Sequence, residues 1–90
     1  MKVVINRCYG GFGLSKEGWK LYWEMGGKAR WFRRKDRADP LLVAVVEELD
    51  READGLSAEL KIVEIPDGIE WSIEESAGIE WVAEVHRRWS

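Results

Sequence analysis

The sequence predicts a small α/β (or α+β) fold, in which two helices pack on a mixed sheet of three to five strands. Three observations predict it. A strongly apolar, β-branched segment opens the chain, two stretches show helical spacing of apolar residues, and the last third alternates with a period of two. The predicted order is β-α-β-α-β-β-β, which favours crossover connections and a partly parallel sheet. At 90 residues, the chain is expected to form one domain over residues 1–90.

A glycine-rich turn separates the first predicted strand from the first predicted helix. Lys2–Cys8 (KVVINRC) is short and β-branched, which predicts a buried strand. The glycine turn that follows, Tyr9–Gly13, has three glycines, which can adopt backbone angles that other residues disfavour. Ser15 stands where a helix N-cap is expected, and Gly26-Gly27 is expected to end this helix.

The middle of the chain predicts a second strand and a second helix. Lys28–Lys35 (KARWFRRK) has an aromatic centre with cationic flanks, which favours a strand. Asp39-Pro40 is the clearest local signal, because Asp caps helices and the fixed φ of proline suits the first helical position. Apolar residues follow at helical spacing, and Gly55 is expected to close the helix.

The last third of the chain predicts three strands. Glu59–Ile65 (ELKIVEI) alternates between apolar and polar residues, and the turn Pro66-Asp67-Gly68 follows it. Glu70–Glu75 and Ile79–Val85 predict a hairpin, with residues 76–78 as a three-residue loop. Helices on one face of this sheet would leave the other face partly bare, with tryptophans exposed.

Charge is distributed unevenly along the chain. Residues 1–38 hold ten Lys and Arg against three acids, and residues 39–90 hold four against fourteen, so the net charge of −3 conceals two opposite halves. Each half could simply solvate its own surface; the alternatives are an anion site on the basic half, or head-to-tail attraction between chains. With six tryptophans in a short chain, this split predicts a homo-oligomer, a dimer or higher.

Several classes of protein are disfavoured by the sequence. No run of about 18 apolar residues is present, so no membrane span is expected. The first residues lack the apolar core of a signal peptide, and Cys8 has no cysteine partner, so a reducing cytoplasm is expected. Duplex nucleic acid is disfavoured as a partner, because the fourteen acids of residues 39–90 would repel its backbone.

Catalysis is not predicted. His86 is the only histidine and Cys8 the only thiol, so a nucleophile–base pair of this kind would need both to meet at the end of the sheet. No Asp, Glu and His cluster has metal-ligand spacing, so neither a metal nor a cofactor is expected. The sequence therefore predicts a protein that binds and is not an enzyme.

Two segments are candidate parts of an anion site. Main-chain NH groups in the glycine turn suit a phosphate, although a tight turn that requires positive φ explains the same glycines. Arg30–Arg37 (RWFRRKDR) interleaves guanidinium groups with rings, which suits phosphates and bases, although a solvated edge strand explains the charges equally well. The predicted ligand-binding residues are Tyr9, Gly10, Gly11, Phe12, Gly13, Arg33, Arg34 and Arg37.

Four segments carry a resemblance to a known family. They are KVVINRCYGGFGLS (2–15), RADPLLVAVVEEL (37–49), IPDGIEW (65–71) and GIEWVAEVHRRW (78–89). Together they resemble a family of short phage and prophage proteins that have no assigned activity. The resemblance covers most of the chain and implies a viral origin, and thus a location in the host cytoplasm. The family pattern has Tyr-Asp before the glycine, where this chain has Ser76-Ala77.

Small phage proteins without catalytic motifs often act by binding, and three hypotheses follow. The first is an anti-defence protein that captures a phosphate-bearing nucleotide signal at the glycine turn. The second is an inhibitor that occupies the basic groove of a host nucleic-acid-binding protein with its acidic half. The third is a structural or assembly component of the phage. For the second hypothesis the residues that matter would be Asp50, Glu52, Asp54, Glu74 and Glu75.

Overall fold

A computed structural model describes residues 1–84 and 88–90 and gives a mixed α+β fold. Its elements are, in chain order, β1 (Lys2–Asn6), α1 (Lys16–Glu24), α2 (Pro40–Leu49), β2 (Leu60–Glu64), β3 (Ser72–Ser76), β4 (Ile79–Ala83) and β5 (Arg88–Trp89). Strands β1 and β2 form one sheet, and β3, β4 and β5 form a second sheet in that order. The predicted α+β class with two helices is confirmed, whereas the strands are divided between two sheets instead of forming the single predicted sheet.

Strand β1 contributes to two apolar clusters. Val4 packs in one cluster with residues of the helices such as Leu42. Val3 and Ile5 pack in the other cluster with residues of the second sheet such as Ile73. Because successive side chains of a strand point to opposite faces, a strand between two layers needs apolar residues at consecutive positions. This explains the uninterrupted apolar run of the first strand.

Both helices begin where the sequence predicts. The Ser15 hydroxyl accepts a hydrogen bond from the NH of Gly18 at 3.0 Å, and the Asp39 carboxylate accepts one from the NH of Leu41 at 2.8 Å. Each side chain thereby satisfies a donor that the first helical turn leaves unpaired. Helix α2 ends before the predicted Gly55, because Asp50 takes a positive φ of 51° that breaks the helix.

The predicted strand at residues 28–35 and the predicted parallel pairing are both wrong. Phe32 is buried in the helical cluster, its neighbours in the loop are exposed, and a 3-10 turn over Arg34–Asp36 follows. Packing of this ring holds the middle of the segment, which runs as a loop from α1 to α2. In the part of the chain that the structure describes, every strand pair is antiparallel.

The predicted hairpin is confirmed, with a shorter turn. Ser76 pairs with Ile79, so only Ala77 and Gly78 connect β3 to β4. Both residues have positive φ, 52° and 90°, as a two-residue type I′ turn requires. The end of the predicted strand, Val85, lies outside the described residues. Within residues 1–84 and 88–90, no helix combines the length and the apolar character that a bilayer crossing needs.

Candidate functional site

Arg37, one of the predicted anion-binding residues, is paired with a carboxylate in the interior. Its Nη1 donates to Oε1 of Glu80 at 2.6 Å and its Nη2 to Oε2 at 3.0 Å. Only 5% of the arginine side chain and 6% of the glutamate side chain are exposed. The NH of Asn6 donates to Oε1 of Glu80 at 2.8 Å. A ligand anion at Arg37 would have to compete with a buried bidentate partner.

The glycine turn packs against the turn of the hairpin. A Cβ placed on Gly78 would lie 2.9 Å from the nitrogen of Gly10 and 3.0 Å from that of Gly11. The Asn6 side-chain amide joins the two turns, because its Nδ2 donates to the main-chain oxygens of Cys8 and Gly78, both at 2.8 Å. The hairpin turn therefore faces the nitrogens of Gly10 and Gly11 at close range.

The other residues of the glycine turn lie in different surroundings. Tyr9 is 72% exposed. The ring of Phe12 lies under the guanidinium of Arg37, whose carbon is 3.6 Å from the ring centroid. The oxygen of Gly13 accepts a hydrogen bond from the NH of Gly55 at 2.9 Å. Ligand binding at the turn stays a prediction, and the nearest cation of the predicted set, Arg37, already has a carboxylate partner.

The remaining two predicted arginines differ from each other. Arg34 donates to a carboxylate oxygen of Glu75 at 2.7 Å, and the other oxygen of that carboxylate accepts a hydrogen bond from the NH of Gly78 at 2.9 Å. Arg33 is exposed, and its main-chain NH donates to the Asp36 carboxylate at 3.1 Å. Of the three predicted arginines, only Arg33 lines the open depression formed by the loop between α1 and α2.

Exposed cations and tryptophans gather on the loop between α1 and α2. An open depression of about 490 Å³ there is lined by Lys28, Ala29, Arg30, Trp31, Arg33, Lys35 and Asp36. A second depression of about 400 Å³ is lined by Trp23, Gly27, Lys28 and Arg30, so the two share Lys28 and Arg30. We refer to the surface formed by Trp23, Lys28, Arg30, Trp31, Arg33 and Lys35 as the basic loop surface.

Tyr22 and Trp23 fix the start of this loop. The Tyr22 hydroxyl donates to the Asp39 carboxylate at 3.2 Å and accepts from the NH of Ala29 at 3.3 Å. The indole NH of Trp23 donates to the oxygen of Ala29 at 2.9 Å. Burial raises the pKa of the Tyr22 phenol, so the hydroxyl stays protonated at neutral pH and keeps its role as a donor. Both main-chain groups of Ala29 are thus held by α1.

A column of aromatic rings connects the core to the basic loop surface. Buried Phe32 stacks on Trp19 with centroids 5.1 Å apart, and Trp19 stacks on Trp23 with centroids 5.3 Å apart. Trp23, the outermost ring of the column, is 49% exposed, and Trp31 is 64% exposed. The sequence identified the cations and aromatics of residues 30–37 but missed Lys28 and Trp23, because Trp23 lies on α1 and its contact with Ala29 of the loop is not visible in the sequence.

The acidic residues of the second hypothesis are dispersed over several elements. Asp50 and Glu52 are exposed in the 3-10 turn after α2, whereas the Asp54 carboxylate accepts a hydrogen bond from the NH of Leu60 at 2.9 Å. Glu74 lines an open depression of about 440 Å³ on the hairpin. Its other lining residues are Glu70, Trp71, Ser72, Ala83 and Glu84.

A nucleophile–base pair would need Cys8 and His86, the only thiol and the only histidine of the sequence. Cys8 is half-buried and unbridged, and His86 lies outside the described residues. No group of three or more His, Cys, Asp or Glu side chains that could hold a metal ion occurs among residues 1–84 and 88–90.

The fold and the surface together define a small α+β protein with one strongly basic, tryptophan-bearing loop. Comparison of the chain with protein-family models, with curated proteins and with solved structures finds no match. The resemblance to short phage proteins therefore stays a prediction.

Proposed function

We propose that the protein is a non-enzymatic binding protein that captures a phosphate-bearing, nucleotide-type ligand on the basic loop surface. The observation that carries this proposal is the combination of four cationic side chains with Trp31 around one depression of about 490 Å³. A depression of this size falls in the range of small-molecule sites, about 300–1,000 Å³. Guanidinium groups bind phosphate oxygens in pairs, and an exposed indole offers a face on which a base stacks.

The balance of charge favours this surface over the glycine turn. Asp36 is the only acid among the residues that line the depression, and it stands against Lys28, Arg30, Arg33 and Lys35. Beside the glycine turn, by contrast, Arg37 and Arg34 each have a carboxylate partner. An anion gains more from cations that lack such a partner, because it displaces water rather than an ion pair.

The biological setting of the proposal comes from the resemblance to phage proteins. We propose that the protein acts in the host cytoplasm and that the captured ligand is a nucleotide signal of host defence. Capture without catalysis would lower the free concentration of such a signal in proportion to the amount of protein made. Capture of this kind needs no catalytic residue on the basic loop surface.

A charge-reversal pair tests the proposal. Isothermal titration with inorganic phosphate, ATP and a cyclic dinucleotide should show binding that weakens at least tenfold in the Arg30→Glu/Arg33→Glu variant. Lys16→Glu/Lys20→Glu is the matched control, because it changes the net charge equally at two exposed positions of α1. Equal weakening in both variants would indicate only a general effect of charge, and loss of binding in Gly11→Val alone would assign the ligand to the glycine turn.

A second candidate function is inhibition of a basic host protein by the hairpin. The observation that favours it is the depression of about 440 Å³, which combines Trp71 with the carboxylates of Glu70 and Glu74. An acidic surface with a central ring is complementary to a groove that binds nucleic acid. Glu70→Lys/Glu74→Lys should abolish this inhibition without weakening nucleotide binding, so the two functions are separable.

A further inference from the structure

The basic loop surface has two aromatic positions, and cations lie between them. The larger depression contains Trp31 and the smaller one contains Trp23, and Lys28 and Arg30 line both. A mononucleotide has one base and would use one of the two rings. A ligand that used both rings would need two bases and a negative group between them.

Trp23 is prepared for stacking by its own environment. One face of its ring is covered by Trp19, at a centroid separation of 5.3 Å and an interplanar angle of 28°. Its indole NH is held by the oxygen of Ala29 at 2.9 Å. Because packing and a hydrogen bond already fix the ring, little side-chain entropy remains to be lost when a base stacks on it. Trp31 is more exposed, at 64%.

We infer that the ligand of the basic loop surface is a single-stranded oligonucleotide of at least two nucleotides, with bases on Trp23 and Trp31 and a phosphodiester at Lys28 and Arg30. This inference rests on the proposed function, since it names the ligand class of the same surface. Alternating rings and cations are the usual means of binding single strands without reading their sequence. A duplex hides the faces of its bases, so it offers nothing to the two indoles.

A length series of ligands tests the inference. Quenching of tryptophan fluorescence is measured with dTMP, the 5′-phosphorylated dinucleotide pdTdT, dT6, U6 and a 12-base-pair DNA duplex. We expect pdTdT to bind at least tenfold more tightly than dTMP, and the duplex to bind more weakly than dT6. Comparison of dT6 with U6 distinguishes DNA from RNA as the source of the strand.

Variants of the two rings complete the test. Trp31→Ala should weaken binding of pdTdT by about 5- to 150-fold, the loss of one stacked base, while changing the affinity for dTMP less. Leu56→Ala is the control, because Leu56 is a fully exposed apolar side chain outside every proposed binding surface, and it should leave both affinities unchanged. Binding by the Trp23→Leu variant is interpreted only if its thermal unfolding matches that of the wild type. Trp31→Ala tests the inference independently of that variant.

The outcomes separate the inference from the proposed function. Equal affinities for dTMP and pdTdT, or preference for the duplex, would overturn the inference and leave nucleotide capture in place. Absence of binding by every phosphate-bearing ligand, at low as well as at moderate salt, would overturn both. For dT6 the logarithm of the affinity should fall with the logarithm of the salt concentration with a slope of about −3, as expected for four neutralised phosphates.

Discussion

Arg37 and Glu80 form a bidentate ion pair that is almost completely buried and joins the loop before α2 to strand β4. The same carboxylate accepts a hydrogen bond from the NH of Asn6, so three segments meet at one side chain. The guanidinium of Arg37 also stacks on the ring of Phe12. The Arg37–Glu80 ion pair thus connects the glycine turn, β1 and the hairpin.

Removal of one partner of this pair should cost far more than removal of both. Glu80→Gln and Arg37→Met each leave a charge without its partner in the interior, and each should lower the free energy of unfolding by about 3–5 kcal/mol. The double variant Arg37→Met/Glu80→Gln should recover most of that loss, because it buries no charge and its amide oxygen can still accept from the NH of Asn6. Urea unfolding measures all three variants, and additive losses in the double variant would contradict the expectation.

The local parts of the fold could be predicted because their causes are local. Ser15 and Asp39 cap their helices through hydrogen bonds that span two or three residues, so the sequence alone locates both helix starts. The loop at residues 28–35 could not be predicted in this way. Its course depends on the contact of Phe32 with Trp19 and Tyr22, which another element supplies.

The candidate site was predicted in part for the same reason. The basic and aromatic character of residues 30–37 is visible in the sequence, and Arg33 belongs to the proposed surface. The sequence does not show which of the arginines are paired with a carboxylate. Glu75 pairs with Arg34 from 41 residues away and Glu80 pairs with Arg37 from 43 residues away, and no spacing rule relates them.

Gly78 and Gly13 should differ in their sensitivity to the same substitution. Gly78→Ala introduces a Cβ at 2.9 Å from the nitrogen of Gly10 and forces a side chain onto a φ of 90°, so we expect a loss of at least about 2 kcal/mol. A Cβ on Gly13 meets no atom within 4 Å, and Gly13→Ala should change stability by less than about 1 kcal/mol. Thermal unfolding of both variants checks this, and similar losses would contradict it.

Ala77 offers a stabilising substitution. It holds a φ of 52° at the first position of the hairpin turn, where Asn and Asp are preferred because they tolerate the left-handed region. Ala77→Asn should therefore raise the free energy of unfolding by about 0.5–1 kcal/mol. Denaturation midpoints measure the change, and a decrease would indicate that the turn is strained for another reason.

Tyr22 should make the protein sensitive to alkaline pH. Burial raises the pKa of its phenol in the folded state, so the unfolded chain loses the proton first as the pH rises. The stability contributed by Tyr22 is complete below the unfolded pKa of about 10 and is lost as the pH rises toward the folded pKa. Tyr22→Phe should cost about 1 kcal/mol at pH 7, from its lost hydrogen bonds, and should flatten the decline above pH 10. Tyr9→Phe, at an exposed position, is the control and should do neither.

Self-association of the chain should depend on salt. The basic loop surface is opposite in charge to the hairpin depression with Glu70 and Glu74, so a contact between the two on different copies would be head-to-tail. Exposed charges are screened at high ionic strength, where the Debye length falls to about 3 Å at 1 M salt. Sedimentation should therefore show oligomers at low salt that dissociate at high salt, and Glu70→Lys/Glu74→Lys should dissociate them at low salt.

Because the same loop is proposed to bind the ligand, excess dT6 should also compete with association. If neither salt nor dT6 changes the oligomer, the chains must be joined by another surface.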